Sequence, residues 1–160
     1  MKDIYKPVKE LLPMVNPVDL TVSGWDISGL NLYEACERAH VLEPSLLSQL
    51  KDDLKAIVPL KAVLNPDYIA ANQDERVDNV VKGTNLELIA KIRQDIQNMK
   101  KKCDKVIVLW TANTEMNLYP EIQNIDDLQN RINANEPLPS SVLYCIAAIE
   151  EQTLYLNGSP

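Results

Sequence analysis

The run Val106-Ile107-Val108-Leu109-Trp110, followed at once by Thr111-Ala112-Asn113-Thr114-Glu115, constrains the fold more than any other feature of the chain. An uninterrupted apolar run of this kind suits a strand covered on both faces, as strands are in a parallel α/β sheet. In such sheets ligands collect just beyond the carboxyl ends of the strands. Here that end carries three small hydrogen-bonding side chains, Thr111, Asn113 and Thr114, around Ala112, which leaves the backbone open to approach. The same pattern also reads as a buried strand running into a helix N-cap, a purely structural role.

A second constellation is Gly24-Trp25-Asp26-Ile27-Ser28, which ends a short strand expected at Asp19 to Val22. It sets a carboxylate beside a glycine at the same kind of strand terminus. Asp26 can accept hydrogen bonds from ribose hydroxyls or an adenine amino group, or it can cap the helix that begins near Asn31.

Strand and helix patterns alternate along the chain. Leu32, Ala35 and Ala39 fall at helical spacing, and Leu46, Leu47, Leu50 and Leu54 form a second stripe after Pro44. A short extended segment at Ala62 to Leu64 leads to the Ile69 to Arg76 region. Leu86, Ile89, Ile92 and Ile96 predict a strong amphipathic helix from Thr84 to about Met99. After the strand at Lys105 to Trp110, Leu128 and Ile132 mark a helix beginning near Asp126, and Val142, Ile146 and Ile149 mark another after Pro139. A last strand is expected at Thr153 to Leu156. Helices between strands imply parallel pairing and right-handed crossovers, hence an open α/β sheet. A sheet lacking its first strands would expose an unpaired edge and leave apolar helix faces without their partners.

Composition narrows the function classes. A net charge of -7 argues against a nucleic-acid or anionic-membrane surface. Lys100-Lys101-Lys102 follows the long helix and suits the negative end of its dipole. No apolar run approaches the roughly 20 residues that span a bilayer, and no secretory leader pattern opens the chain, so a cytoplasmic location is expected. Cys36, Cys103 and Cys145 are widely separated and odd in number, which indicates neither a disulfide framework nor a metal site. The one histidine, His40, sits where a helix ends, and its expected role is at that terminus. The four glycines, Gly24, Gly29, Gly83 and Gly158, are not spaced as a dinucleotide fingerprint requires.

Both constellations, with Leu12-Pro13-Met14-Val15-Asn16-Pro17, Ile69-Ala70-Ala71-Asn72-Gln73-Asp74-Glu75-Arg76 and Leu156-Asn157-Gly158-Ser159-Pro160, give the chain a resemblance to the myo-inositol-1-phosphate synthase family from about Leu11 to Pro160. The resemblance implies a partial Rossmann-like, NAD-binding domain over residues 1–160, an open parallel sheet with flanking helices. The family's glycine-rich phosphate loop and its catalytic half are expected to lie outside this chain. It further implies part of an NAD-dependent isomerase that converts D-glucose 6-phosphate to 1D-myo-inositol 3-phosphate, in inositol and phospholipid biosynthesis, through oxidation, aldol cyclisation and reduction.

Carried over by position, Asp26 would contact the adenosine part of NAD, with Gln73 and Arg76 lining the same pocket. Thr111, Ala112, Asn113 and Thr114 would follow the dinucleotide past their strand, and Gly158 and Ser159 would close the site from the next one. Ala62 and Val63 carry over where the family more often shows serine followed by an aliphatic residue. Met116 stands where the family usually has arginine, so any ion pair or phosphate contact of that arginine is absent. No catalytic acid or base is assigned within the chain; Glu115, the nearest carboxylate, is expected to cap or pair structurally. The family assembles as a homo-oligomer, so an alternative to an inactive fragment is a non-catalytic short form that associates with the full-length enzyme. A generic α/β binding module is the blander reading.

Overall fold

In the computed structural model, residues 10, 12, 14–70, 75–117 and 120–159 are described. They form strands β1 (Trp25–Asp26), β2 (Leu60–Val63), β3 (Val80–Val81), β4 (Ile107–Trp110) and β5 (Leu154–Asn157). The helices are α1 (Leu32–Ala39), α2 (Pro44–Gln49), α3 (Lys51–Lys55), α4 (Asn85–Lys100), α5 (Ile125–Asn133) and α6 (Ser140–Glu150). All strand pairing is parallel, in two sheets: β2 pairs with β1 and β3, and β4 pairs with β5. This is the expected open α/β arrangement, with its strands in two groups rather than one continuous sheet.

The hydrogen bonds of β2 explain the grouping. The amides of Leu60 and Ala62, two residues apart and so on one edge, donate to Gly24 O at 2.8 Å and Asn79 O at 2.9 Å. β3 therefore takes over the edge that β1 leaves. Asn79 splices the change of partner, because its Nδ2 donates to the carbonyls of both Asp26 and Leu60, each at 3.1 Å. On the opposite edge no strand among the described residues pairs with the upper part of β2. The Val63 amide donates to the Tyr144 hydroxyl at 2.9 Å, and the Asn65 amide donates to Ser140 Oγ at 2.9 Å.

Helix ends follow local chemistry. Asn31 and Thr84 each build a reciprocal capping box, with Glu34 and Glu87 respectively, and Asn124 caps α5. His40 ends α1 in the left-handed region, φ 53°, with its amide bonded to Cys36 O, a terminal role with no chemistry attached. Lys100 closes α4 and also donates from Nζ to Glu151 O at 2.7 Å.

Two expectations need correction, and one strand was not foreseen. Asp19 to Val22 is not a strand: Asn16 and Pro17 start a 3-10 turn over Pro17–Asp19, and the chain joins the ladder only at Trp25. The stripe from Leu46 to Leu54 is broken into α2 and α3 at Leu50. β3, two residues long, is too short to leave a periodicity in sequence.

The core lies between the strands and the paired helices α4 and α6, with Ile92, Ile96, Leu138, Leu143, Ala147 and Ala148 at its centre. Tyr144, 3 % exposed, sits between two indoles, 5.1 Å from the Trp25 ring and 5.5 Å from the Trp110 ring. Trp25 is pinned in turn by its Nε1, which donates to the buried Asp95 of α4 at 3.0 Å. Away from the core, Ile107, Leu109, Leu154 and Leu156 leave one face of the β4–β5 ladder bare. The sequence leads one to expect uncovered faces on helices; the face left bare here belongs to strands.

Two measurements test this packing. Tyr144→Phe keeps the ring but strands the Val63 amide, and is expected to cost about 1–3 kcal/mol in urea unfolding. A loss no larger than that of a surface substitution would show that the bond does not matter. The Arg93 and Gln97 side chains on Glu151 hold its carboxyl below its ordinary value. A depressed folded-state value means stabilisation that is complete above the unfolded value and is lost as pH falls through the folded one. The acid limb of a stability profile should therefore be shallower in Glu151→Gln than in the unsubstituted chain.

Candidate functional site

Between the carboxyl ends of β1 and β2 and that of β4 lies a cavity of about 340 Å³. Trp25, Asp26, Ile27 and Ser28 form one wall and Val108 to Asn113 the other, with Ala62, Val63 and Leu64 behind and Ile69, Arg38 and Arg76 to the side. Glu115 and Tyr144 complete the lining. Of the residues expected at the site, the structure brings together Asp26, Ala62, Val63, Arg76, Thr111, Ala112 and Asn113 around this one cavity.

The others fall elsewhere. Gln73 lies outside the described residues. Ser159 lines a second cavity, of about 360 Å³, with Glu115, Met116, Glu121 and Asn157. Thr114 and Gly158 line neither. Ala62 and Val63, 5 % and 3 % exposed, contribute only the apolar floor.

Asp26 does not cap α1, since Asn31 does. Its Oδ1 accepts from the Ser28 amide at 2.8 Å, a local turn that fixes the carboxylate at the strand end. Oδ2 has no hydrogen-bond partner among the described residues, and the residue lines the cavity. The indole of Trp25, fixed by Asp95, holds the preceding position.

The turn after β4 does not run into a helix N-cap. It is an irregular stretch whose carboxylate, Glu115, reaches across to α6 and accepts from the Ser140 amide at 2.7 Å and the Ser141 amide at 3.1 Å. α6 has no side-chain cap of its own, because Pro139 occupies the cap position. A carboxylate at that end meets both the free amides and the positive end of the helix dipole. Glu115 is thus a structural cap, as expected, and it ties the turn to α6.

The β5 end closes on the same turn. The Gly158 amide donates to Trp110 O at 2.9 Å, and Ser159 Oγ donates to Ala112 O. A Cβ at Gly158 would come within 3.2 Å of Trp110 O, so glycine there spares the two strand ends a tight contact. The two segments carried over as cofactor contacts are therefore clasped to one another.

Arg38, Ser28, Trp110 and Tyr144 were not anticipated at the site. Arg38 sits on a helix whose periodicity marks only its apolar side, and the contact of Tyr144 spans 81 residues, so neither leaves a local signal. Among the described residues no group of side chains could hold a metal ion, and no helix is long and apolar enough to cross a membrane. The three cysteines are free thiols, and burial pushes that of Cys145 up, away from reactivity.

Parallel strands, flanking helices and a ligand-sized cavity at the strand ends define a Rossmann-like domain. The family model described as myo-inositol-1-phosphate synthase matches residues 1–160, and the chain belongs to that family. It is 46 % identical over 167 residues to inositol-3-phosphate synthase 1 of Oryza sativa subsp. japonica, covering 99 % of this chain and 32 % of that protein. With the inositol-3-phosphate synthase of Drosophila melanogaster it shares 45 % identity, over 99 % of this chain and 29 % of that protein. The crystal structure of inositol-3-phosphate synthase from Caenorhabditis elegans superimposes with a TM-score of 0.89 at 42 % identity, over 96 % of this chain and 32 % of that one. The chain thus spans about a third of the length of these relatives.

The cap makes a direct prediction. Glu115→Ala should lower stability by about 1–2 kcal/mol, the usual worth of a helix cap with a dipole contribution. Unfolding followed by circular dichroism would read it. An unchanged midpoint would mean that α6 does not depend on the turn.

Proposed function

We propose that this chain is the part of an inositol-3-phosphate synthase that holds the adenosine end of NAD, within an enzyme converting D-glucose 6-phosphate to 1D-myo-inositol 3-phosphate. The observation that carries the reading is the free oxygen of Asp26 in a cavity walled on its other side by Thr111, Ala112 and Asn113. A carboxylate at a strand end suits the paired hydroxyls of a ribose, and the exposed backbone of the turn suits close approach by a flat or extended ligand. The fit is also supported by Gly158, where the lack of a side chain leaves room for the strand ends that shape the turn to lie close together.

When bound, NAD supplies the acceptor and donor of a hydride. The residues of this chain bind and orient it. Asp26 would accept hydrogen bonds from the ribose, Ala62 and Val63 would give an apolar floor, and the Thr111 to Asn113 turn would offer its exposed backbone to the cofactor. No proton transfer is assigned within the chain, because Glu115 is committed to the amides of α6. Glucose 6-phosphate, the cyclisation chemistry and homo-oligomer assembly belong to the complete enzyme. A second reading, a short form that associates with the full-length enzyme, is favoured by the bare face formed by Ile107, Leu109, Leu154 and Leu156.

The chain alone is expected to bind NAD weakly. Pyrophosphate normally rests on glycine-loop amides at a helix N-terminus, and no such fingerprint occurs among its four glycines. Titration of the isotope-labelled chain with NAD should shift the amides of Asp26, Ser28 and Thr111 to Asn113, and Asp26→Asn should weaken the response. Absence of shifts at these positions would sink the reading, and stoichiometric tight binding in calorimetry would overturn the expected weakness.

A further inference from the structure

Asn157-Gly158 is the one asparagine-glycine pair in the chain. It lies where β5 ends: Asn157 pairs with Trp110 at the last position of the ladder, and it is exposed. An asparagine side chain is attacked by the amide nitrogen of the following residue whenever that nitrogen can turn onto it. Glycine puts no Cβ beside the nitrogen and has the widest backbone freedom of any residue. The residue that spares the two strand ends a tight contact is therefore also the one that leaves Asn157 least shielded.

The folded chain holds the reacting atoms apart. The Gly158 amide donates to Trp110 O at 2.9 Å, and Asn157 Oδ1 accepts from the Ser159 amide at 2.9 Å. Ser159 Oγ, donating to Ala112 O, fastens the same segment one residue further on. Asn157 belongs to a strand, and ring closure needs its ψ to rotate out of the extended region. These contacts lie at an exposed strand end, which opens locally at lower cost than the core.

We propose that Asn157 is a site of spontaneous conversion to aspartate and isoaspartate, gated by the clasp between the ends of β4 and β5. In the open form the Gly158 nitrogen gives up its proton and bonds to Cγ of Asn157; the Cγ–Nδ2 bond breaks and ammonia leaves, forming a succinimide. Water then opens the ring. Attack at Cγ gives aspartate, and attack at the main-chain carbonyl gives isoaspartate, whose backbone runs through the former side chain. Water is the only co-reactant, and no group is oxidised or reduced.

Isoaspartate adds a carbon to the main chain just ahead of Gly158, so Gly158 and Ser159 lose their register on Trp110 and Ala112. The Thr111 to Asn113 turn then loses the flank that β5 provides. Both products also set a carboxylate into the second cavity with Glu115 and Glu121, where like charge opposes closing the clasp again. None of these steps depends on what the first cavity takes.

Ageing the chain at fixed pH and temperature, folded and in urea, and mapping its peptides by mass spectrometry with fragmentation that separates aspartate from isoaspartate tests the proposal. Asn157 is expected to convert ahead of every other asparagine in both conditions, and at least about tenfold more slowly when folded, which corresponds to an opening cost of about 1.4 kcal/mol or more. In folded Ser159→Ala, which lacks the bond to Ala112 O, conversion should run roughly threefold faster. Amide exchange at Thr111 to Asn113 should quicken in the aged chain and stay slow in aged Asn157→Gln.

Equal rates folded and in urea would overturn the gate. Conversion in urea with none in the aged folded chain would confine the reaction to the denatured state and overturn the site. Another asparagine converting first in the folded chain would also overturn it. Unchanged exchange at Thr111 to Asn113 in fully converted chain would overturn the link between Asn157 and the turn.

Discussion

The hydrogen bond from the Val63 amide to the Tyr144 hydroxyl is the constraint on which the rest of the molecule depends. An unpaired amide at a buried strand edge costs about as much as the net worth of a good hydrogen bond, or more. Most sheets answer that edge with another strand. This one answers it with a side chain from α6, and so exchanges a strand for a helix contact. Burial raises the Tyr144 hydroxyl well above its ordinary range, which keeps it neutral at every working pH. The ring then fills the space between Trp25 and Trp110, one from each sheet. A phenylalanine would fill that space equally well but leave the amide unanswered.

The same helix shapes the site. Its middle carries Tyr144, its first residue Ser140 satisfies Asn65, and its N-terminal amides are capped by Glu115 from the turn after β4. The turn is held on its other side by the carbonyl contacts from Gly158 and Ser159. Thr111 to Asn113 are therefore exposed at their side chains but fixed through their flanks. A ligand meeting such a turn orders little backbone on arrival, which is how a small polar patch gains affinity. Asp26 is fixed by an independent route, through Trp25 to Asp95 of α4. The two walls of the cavity are thus positioned by the two helices that form the core.

What was legible in the sequence was what is decided locally. The boundaries at Asn31, Thr84 and Pro139 followed from capping groups and a proline, and the strands at Ile107 and Leu154 from apolar runs between helices. Asp26, Thr111 and Asn113 could be singled out as neighbours because strand ends in such sheets converge, and the structure sets the three around one cavity. Val18, Leu20 and Val22 alternate like a strand but remain largely exposed, because a strand needs a partner edge and the pattern says nothing about whether one exists. Glu115 illustrates the opposite case. Its carboxylate could be foreseen as structural, but the amides it caps lie 25 residues further on, behind a proline that cannot cap its own helix. Arg38 left no signal at all, since an unpaired arginine on a polar helix face is ordinary until the fold turns that face toward a cavity.

The bare face of the β4–β5 ladder follows from the same sequence logic. Antiparallel sheets open to water write polar residues on alternate positions, whereas parallel strands are apolar on both faces because both are covered. Here Val108 is buried under α4 and α6, while Ile107 and Leu109 stay 57 % and 58 % exposed beside Leu154 and Leu156. The sequence is therefore written for cover that the described residues do not supply, in a chain about a third as long as its relatives. That exposure bears on solubility and association more than on the cavity. The cavity's polar groups are held by Asp95, Ser28 and the amides of α6, none of which belongs to the bare face. Covering the face would stabilise the ladder as a whole, but the positions of Asp26 and of the Thr111 to Asn113 turn are set by contacts already present.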